Sequence, residues 1–153
     1  MVKKKAFLAA MAAIIGGLLV LSACSQPAVA GKGAIKATWI NATVSGDTVS
    51  VPASEVKKDS IIHFRVRNPA GEMTFMSYEY EGQLQVRADI CPPCRSQSFS
   101  LVGSTLVCDA CGTVFDARTG AGIRGACVAY PKASVAYQNS NGALVMQGAD
   151  PCE

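Results

Sequence analysis

The stretch CPPCRSQSFSLVGSTLVCDACG, Cys91 to Gly112, sets four thiols in two C-x-x-C pairs, Cys91/Cys94 and Cys108/Cys111, thirteen residues apart. No other feature limits the fold of this chain as much. A C-x-x-C turn lets both sulfurs face one point. Two such knuckles, joined by a hairpin, build an all-sulfur tetrahedral site with spacing close to that of zinc ribbons. An iron–sulfur cluster held by four thiolates asks for the same arrangement, so spacing alone does not choose between them. Gly112 fits a knuckle that needs an unhindered backbone, whereas Pro92 and Pro93 stiffen the first loop and remove two N–H donors. A third reading joins the thiols in disulfides, with Cys91 and Cys94 as a thioredoxin-type dithiol. That motif normally opens a helix in a βαβ setting, which the sequence does not display. Two symmetric pairs around a hairpin favour one joint site.

The N-terminus speaks to location. Lys3, Lys4 and Lys5 precede an apolar run from Ala6 to Leu21, which ends in Leu21-Ser22-Ala23-Cys24. Residues 1–23 read as a lipoprotein signal peptide, Cys24 as the lipidated first residue of the mature chain, and residues 24–34 as a tether. An uncleaved anchor helix or an ordinary signal with an incidental cysteine are the alternatives. The expected location is extracytoplasmic, on a bacterial membrane through lipid on Cys24, at the cell surface or in the periplasm. Two or more acyl chains would make that anchor stable. No second apolar span follows, so the remainder is expected to be soluble beyond its anchor.

Charge excludes one class of partner. Fourteen Lys and Arg face eleven Asp and Glu, and three of the lysines lie in the signal. What remains is close to neutral and has no basic stripe for nucleic acid. The mature part, about 130 residues, suffices for one domain with a modest core.

From residue 35 to 153 the pattern predicts a single all-β domain, a small sandwich or barrel of short antiparallel strands carrying the four-cysteine site. Strands are expected over Ala34–Ile40 and Ala42–Val51, with a turn at Ser45-Gly46-Asp47. Ile62, Phe64 and Val66 alternate with His63, Arg65 and Arg67, which predicts a half-buried strand with a basic outer face. Hairpins are expected for Met73–Tyr80 with Gln83–Ala88, for Ser98–Val102 with Thr105–Val107, and for Ser134–Gln138 with Ala143–Gln147. Val51–Lys58 holds at most one helical turn.

The second cysteine box, Cys108-Asp109-Ala110-Cys111-Gly112 followed by Phe115-Asp116 and Thr119-Gly120, resembles that of Rieske proteins. Cys111 stands where the Rieske histidine would be, and His63 is the chain's one histidine, so a two-histidine Rieske centre is excluded. A closer resemblance is to the FtrD-like membrane iron–sulfur family, over roughly Ile61 to Pro131. It rests on Val86-Arg87-Ala88-Asp89-Ile90-Cys91-Pro92-Pro93-Cys94, on Val107 to Gly112, and on Gly125-Ala126-Cys127 with Pro131 beyond. The chain departs from the family in lacking Asn after Cys127 and in having no apolar span beyond the signal. The resemblance implies iron–sulfur binding, an association with bacterial iron uptake, and a local role for Cys127.

The expected ligands are therefore Cys91, Cys94, Cys108 and Cys111, for an iron–sulfur cluster or, alternatively, zinc. Cys127 is either a fifth thiolate at the site or one half of a disulfide with Cys152. Four thiolates with few positive neighbours imply a low-potential centre, its charge moderated by Arg95 and Arg118. His63 reads as a solvated surface residue, Met73 and Met76 as core fillers, and Asp116 with Thr119 and Gly120 as a turn that positions the second knuckle. No hydrolytic constellation is visible. The function expected is a redox carrier or metal-handling protein rather than a catalyst, with a membrane redox or iron-transport partner. A structural zinc ribbon and a thiol–disulfide protein using Cys91/Cys94 are the alternatives.

Overall fold

A computed structural model of the chain describes residues 33–68 and 71–147. Cys24, the signal peptide, most of the tether and Cys152 lie outside the described residues. Thirteen strands and one helix are present among those described: β1 Ile35–Lys36, β2 Thr38–Asn41, β3 Thr43–Ser45, β4 Thr48–Pro52, α1 Ala53–Asp59, β5 Ile61–Asn68, β6 Gly71–Tyr80, β7 Gln83–Ala88, β8 Phe99–Val102, β9 Thr105–Cys108, β10 Val114–Asp116, β11 Gly122–Arg124, β12 Gln138–Ser140 and β13 Ala143–Gln147. They form three sheets, ordered β12-β13-β4-β3, β2-β5-β6-β7 and β1-β8-β9-β10-β11.

The β2-β5-β6-β7 sheet is the organising layer, because its central β5–β6 pair sends side chains into a core on each face. Residues paired across a ladder share a face, and neighbours along a strand alternate faces. Phe64 pairs with Phe75, and with Ile62, Val66 and Val86 they enter a core completed by Val49, Val51, Val56, Leu144 and Met146. On the opposite face Ile61 pairs with Tyr78 and His63 with Met76. Ile61, Met76 and Tyr78 enter a second core with Phe99, Leu101, Leu106, Phe115 and the buried cysteines.

This corrects the expected exposure of His63. Its side chain is 1 % exposed, because the cysteine-bearing sheet covers the face that alternation assigned to solvent. The Trp39 ring of β2 meets the His63 ring edge-on at 5.0 Å, and the Arg65 guanidinium lies 4.4 Å over that indole. Arg65 and Arg67 do reach solvent, where both lie beside Glu72. Met73 and Met76, three apart on a strand, point to opposite faces and fill different cores.

The β6–β7 and β8–β9 hairpins turn where the sequence places them, at Glu81-Gly82 and Gly103-Ser104. Three features differ from expectation. The helix runs seven residues, burying Ala53 and Val56. One ladder, β2 with β5, is parallel, which the intervening β3, β4 and α1 make possible. The segment around Ser134 does not pair with β13. It adds to the edge of β7 instead, through Ala88 N–H to the Ala133 carbonyl and Val135 N–H to the Val86 carbonyl.

Candidate metal centre

Each knuckle is a tight turn with the same hydrogen-bond plan. In the first, Cys91 N–H donates to the Ser96 carbonyl at 2.9 Å and Arg95 N–H to the Cys91 carbonyl at 2.7 Å. In the second, Cys108 N–H donates to the Thr113 carbonyl at 2.9 Å and Gly112 N–H to the Cys108 carbonyl at 2.9 Å. The residue after each second cysteine takes left-handed backbone, φ 56° at Arg95 and 68° at Gly112. Glycine does this without steric cost and arginine does not. Asp109, inside the second knuckle, accepts hydroxyl hydrogen bonds from Ser98 and Ser100, both at 2.6 Å, and so pins the knuckle to β8.

A third arm comes from the segment after β11. Cys127 N–H donates to Thr113 Oγ1 at 3.1 Å, and the same hydroxyl lies 3.2 Å from Cys111 Sγ. Gly125 permits the approach, since a Cβ there would lie 2.7 Å from both the Cα and the Oγ1 of Thr113. Cys127 thereby joins the pocket, its sulfur 3.7 Å from that of Cys111.

Five free thiols thus converge: Cys91, Cys94, Cys108, Cys111 and Cys127. The sulfurs of Cys91, Cys94, Cys111 and Cys127 all lie within 4.8 Å of one another. Cys108 falls outside that group of four, yet its sulfur is 3.7 Å from that of Cys94. Spacing had grouped Cys108 with the other three knuckle cysteines; the fold seats Cys127 among them as well. Metal–sulfur bonds of ~2.3 Å around one tetrahedral ion imply sulfurs about 3.8 Å apart, so the close group of four has the spacing of thiolates around a metal ion.

The thiols are unequal. Burial raises Cys91, and its hydrogen bonding with Cys127 and Cys94 raises it further. Burial raises Cys108. Burial works against ionisation of Cys111 too, but hydrogen bonds from the Thr113 hydroxyl and amide, with help from Cys108 and Cys94, bring it down to about 6. A thioredoxin-type dithiol needs its depressed thiol in the C-P-P-C pair. The depressed thiol here is in the other knuckle.

Two cations are buried in this half of the fold, Arg87 and Lys132, and sequence pattern had singled out neither. Arg87, 3 % exposed, donates from Nε to the Tyr78 hydroxyl at 2.7 Å and from its terminal nitrogens to the carbonyls of Arg118, Thr119 and Lys132. Tyr78 in turn donates to the Ala117 carbonyl. Together they hold the 116–120 turn, closed by Asp116 on Thr119 as expected, against the middle sheet. Lys132, 2 % exposed, donates to the carbonyl of Ile90, the residue before Cys91. Arg95 and Arg118, expected to moderate the site's charge, are both exposed. Buried lysine and arginine are rare enough that residue type alone does not announce them.

Behind the first knuckle, His63 Nδ1 and Asp89 Oδ2 lie 3.4 Å apart, with neither side chain holding a hydrogen bond among the described residues. Burial lowers His63 to about 4, opposed by the charge of Asp109. Burial raises Asp89 to about 8, opposed by Lys132.

Fold and site together define an all-β protein with a cysteine-only metal or iron–sulfur centre. The chain belongs to the family described as membrane iron–sulfur containing protein FtrD-like, whose model matches residues 56–150 and so takes in all five cysteines of the cup. No curated protein matches the chain. In fold it is similar to a chain of a solved complex of reduced oxygenase and oxidized ferredoxin in carbazole 1,9a-dioxygenase. The TM-score is 0.56 at 21 % identity, over 71 % of this chain and 100 % of that one. No helix among the described residues is long and apolar enough to cross a membrane.

Proposed function

We propose that this chain is a lipid-anchored, extracytoplasmic iron–sulfur protein that carries electrons or handles metal for a membrane redox or iron-transport partner. The observation that carries this reading is the convergence of sulfurs from three chain segments in a membrane iron–sulfur family member. Cys91, Cys94 and Cys111 belong both to the ligand set drawn from spacing and to the close group of four, so they are the proposed constant ligands. Cys108 and Cys127 are the candidates for the remaining position. A bound cluster would supply reversible one-electron chemistry. The protein's own part is to hold the thiols, to bury Cys91, Cys108 and Cys127, and to leave Cys94 and Cys111 partly open towards a partner. The anchor rests on Lys3 to Lys5, the apolar run and Cys24.

The test is full-length protein purified in detergent without oxygen, with its visible spectrum and its iron, zinc and acid-labile sulfide measured on one sample. Brown protein with iron and sulfide, lost in Cys111→Ser, supports the proposal. Colourless protein with one tightly held zinc sinks it in favour of a structural zinc site. The close approach of four sulfurs, compact enough for a single ion, is what keeps zinc as the second reading. Cys24→Ala should release the protein from the membrane fraction; full retention would overturn the anchor.

A further inference from the structure

Lys132 is an ammonium in a place that disfavours charge. Among the described residues no carboxylate lies within ion-pair distance of its Nζ. Its contacts are the Ile90 carbonyl and the faces of two rings, Phe99 at 4.9 Å and Phe115 at 4.7 Å. One carbonyl and two cation–π contacts are thin compensation for a buried ammonium. The two rings belong to the same core as Cys91, Cys108 and Cys127, and burial lowers the Lys132 pKa against the opposing charges of Cys91, Cys108, Asp89 and Cys127. The residue also lies on the arm that delivers Cys127, while its head is tied to the backbone entering Cys91.

We propose that Lys132 is the charge-balancing residue of the thiol cup, its buried ammonium offsetting the negative charge that the thiolates carry when a metal or cluster is bound. This rests on reading the cup as a metal centre. A centre held by four thiolates is anionic, and reduction adds another negative charge. A fixed cation beside it therefore favours loading and favours the reduced form. The sequence-based picture of thiolates with few positive neighbours changes accordingly. The exposed Arg95 and Arg118 are screened by water, whereas Lys132 acts across a dry interior.

A merely structural Lys132 would tie Ile90 and do nothing more, and the two roles separate in one experiment. Metal-free, full-length wild type, Lys132→Met and Lys132→Arg are titrated with Co²⁺ in detergent without oxygen, following the thiolate-to-cobalt absorption. Urea unfolding is run on each metal-free and cobalt-loaded form. Lys132→Met should bind Co²⁺ at least tenfold more weakly, while its metal-free form unfolds at the wild-type urea concentration or above it. Lys132→Arg, which keeps the charge, should bind more tightly than Lys132→Met. Affinity of Lys132→Met within threefold of wild type overturns the proposal. So does a metal-free Lys132→Met that is unfolded, or destabilised as much as its loaded form. If iron and sulfide reconstitute a cluster, the midpoint potential of Lys132→Met should lie below that of wild type. Failure to form a cluster, with the cobalt ordering intact, would sink the iron–sulfur function and leave Lys132's role standing. Failure of wild type to take up either Co²⁺ or a reconstituted cluster would remove both.

Discussion

Replacing Arg87 by Met should cost the metal-free protein about 4 kcal/mol. The side chain makes four hydrogen bonds, to the Tyr78 hydroxyl and to the carbonyls of Arg118, Thr119 and Lys132. Four charge-assisted bonds at ~1.5–3 kcal/mol each would suggest far more. Two considerations reduce the sum. Arg118 and Thr119 are exposed, so water can replace the guanidinium at their carbonyls. Methionine also removes a buried charge and with it a desolvation cost. Two acceptors at buried residues lose their donor, the Lys132 carbonyl and the Tyr78 oxygen, which keeps its own donation to Ala117, at roughly 1–3 kcal/mol each. A loss near 4 kcal/mol is a large share of the ~5–15 kcal/mol typical of a domain. With a urea slope of ~2 kcal/mol/M the midpoint should fall by about 2 M. Arg87→Lys should lose nearly as much, because an ammonium cannot reproduce the fork. In a double-mutant cycle with Tyr78→Phe, the two losses should fall short of additivity by ~1 kcal/mol or more. A loss under ~1 kcal/mol, or strict additivity with Tyr78→Phe, would refute the view that this cation ties the 116–120 turn to the middle sheet.

Three further outcomes follow from the same geometry. Arg95→Gly should stabilise the metal-free protein by about 0.5–1 kcal/mol in urea unfolding, since it relieves a left-handed backbone at a side chain exposed to water; a loss of stability would count against the matched-knuckle reading. In metal-free protein, iodoacetamide should label Cys111 ahead of Cys91 and Cys108, with a rate rising through about pH 6, and Thr113→Val should abolish that priority. Peptide mass spectrometry showing Cys91 labelled first would revive the thioredoxin-type alternative. His63, lowered to about 4 from its ordinary 6.5, contributes stability that is present above about pH 6.5 and lost as pH falls through 4, because only the unfolded chain gains the proton between those values. Asp89, raised to about 8, works with the opposite sign, its contribution present below its ordinary 3.8 and lost as pH rises through 8. Subtracting the stability–pH curve of His63→Gln from that of wild type should therefore leave a difference that declines with acidification from 6.5 to 4, and parallel curves would contradict it.

What the sequence disclosed was local. The turns at Glu81-Gly82 and Gly103-Ser104 sit between alternating runs, and each hairpin closes over a handful of residues. The two knuckles are equally local, which is why Cys91, Cys94, Cys108 and Cys111 could be grouped from spacing. The features it concealed depend on contacts distant along the chain. Alternation in Ile61–Arg67 shows that a strand has two kinds of face, but not that a second sheet will cover the polar one, and so His63 was placed in water. The strands β10 and β11 are three residues each and exist because β9 offers an edge, not because their own pattern demands it. Cys127 reaches the cup through Thr113 and the space left by Gly125, and no spacing rule encodes that approach.

The same division explains why the ligand set and the charge of the site had to wait for the fold. Spacing measures what a knuckle can offer and says nothing about the third arm. That arm brings a sulfur at Cys127 and, five residues on, a cation at Lys132, so one segment supplies both a donor and its countercharge. A Zn²⁺ held by four thiolates is anionic as well, so a buried lysine would stabilise that centre too, by an amount that stays constant. A centre whose charge changes in use feels the same cation more strongly in its reduced state. The buried ammonium serves either kind of centre, and a midpoint shift in Lys132→Met is the measurement that would assign it to a redox one.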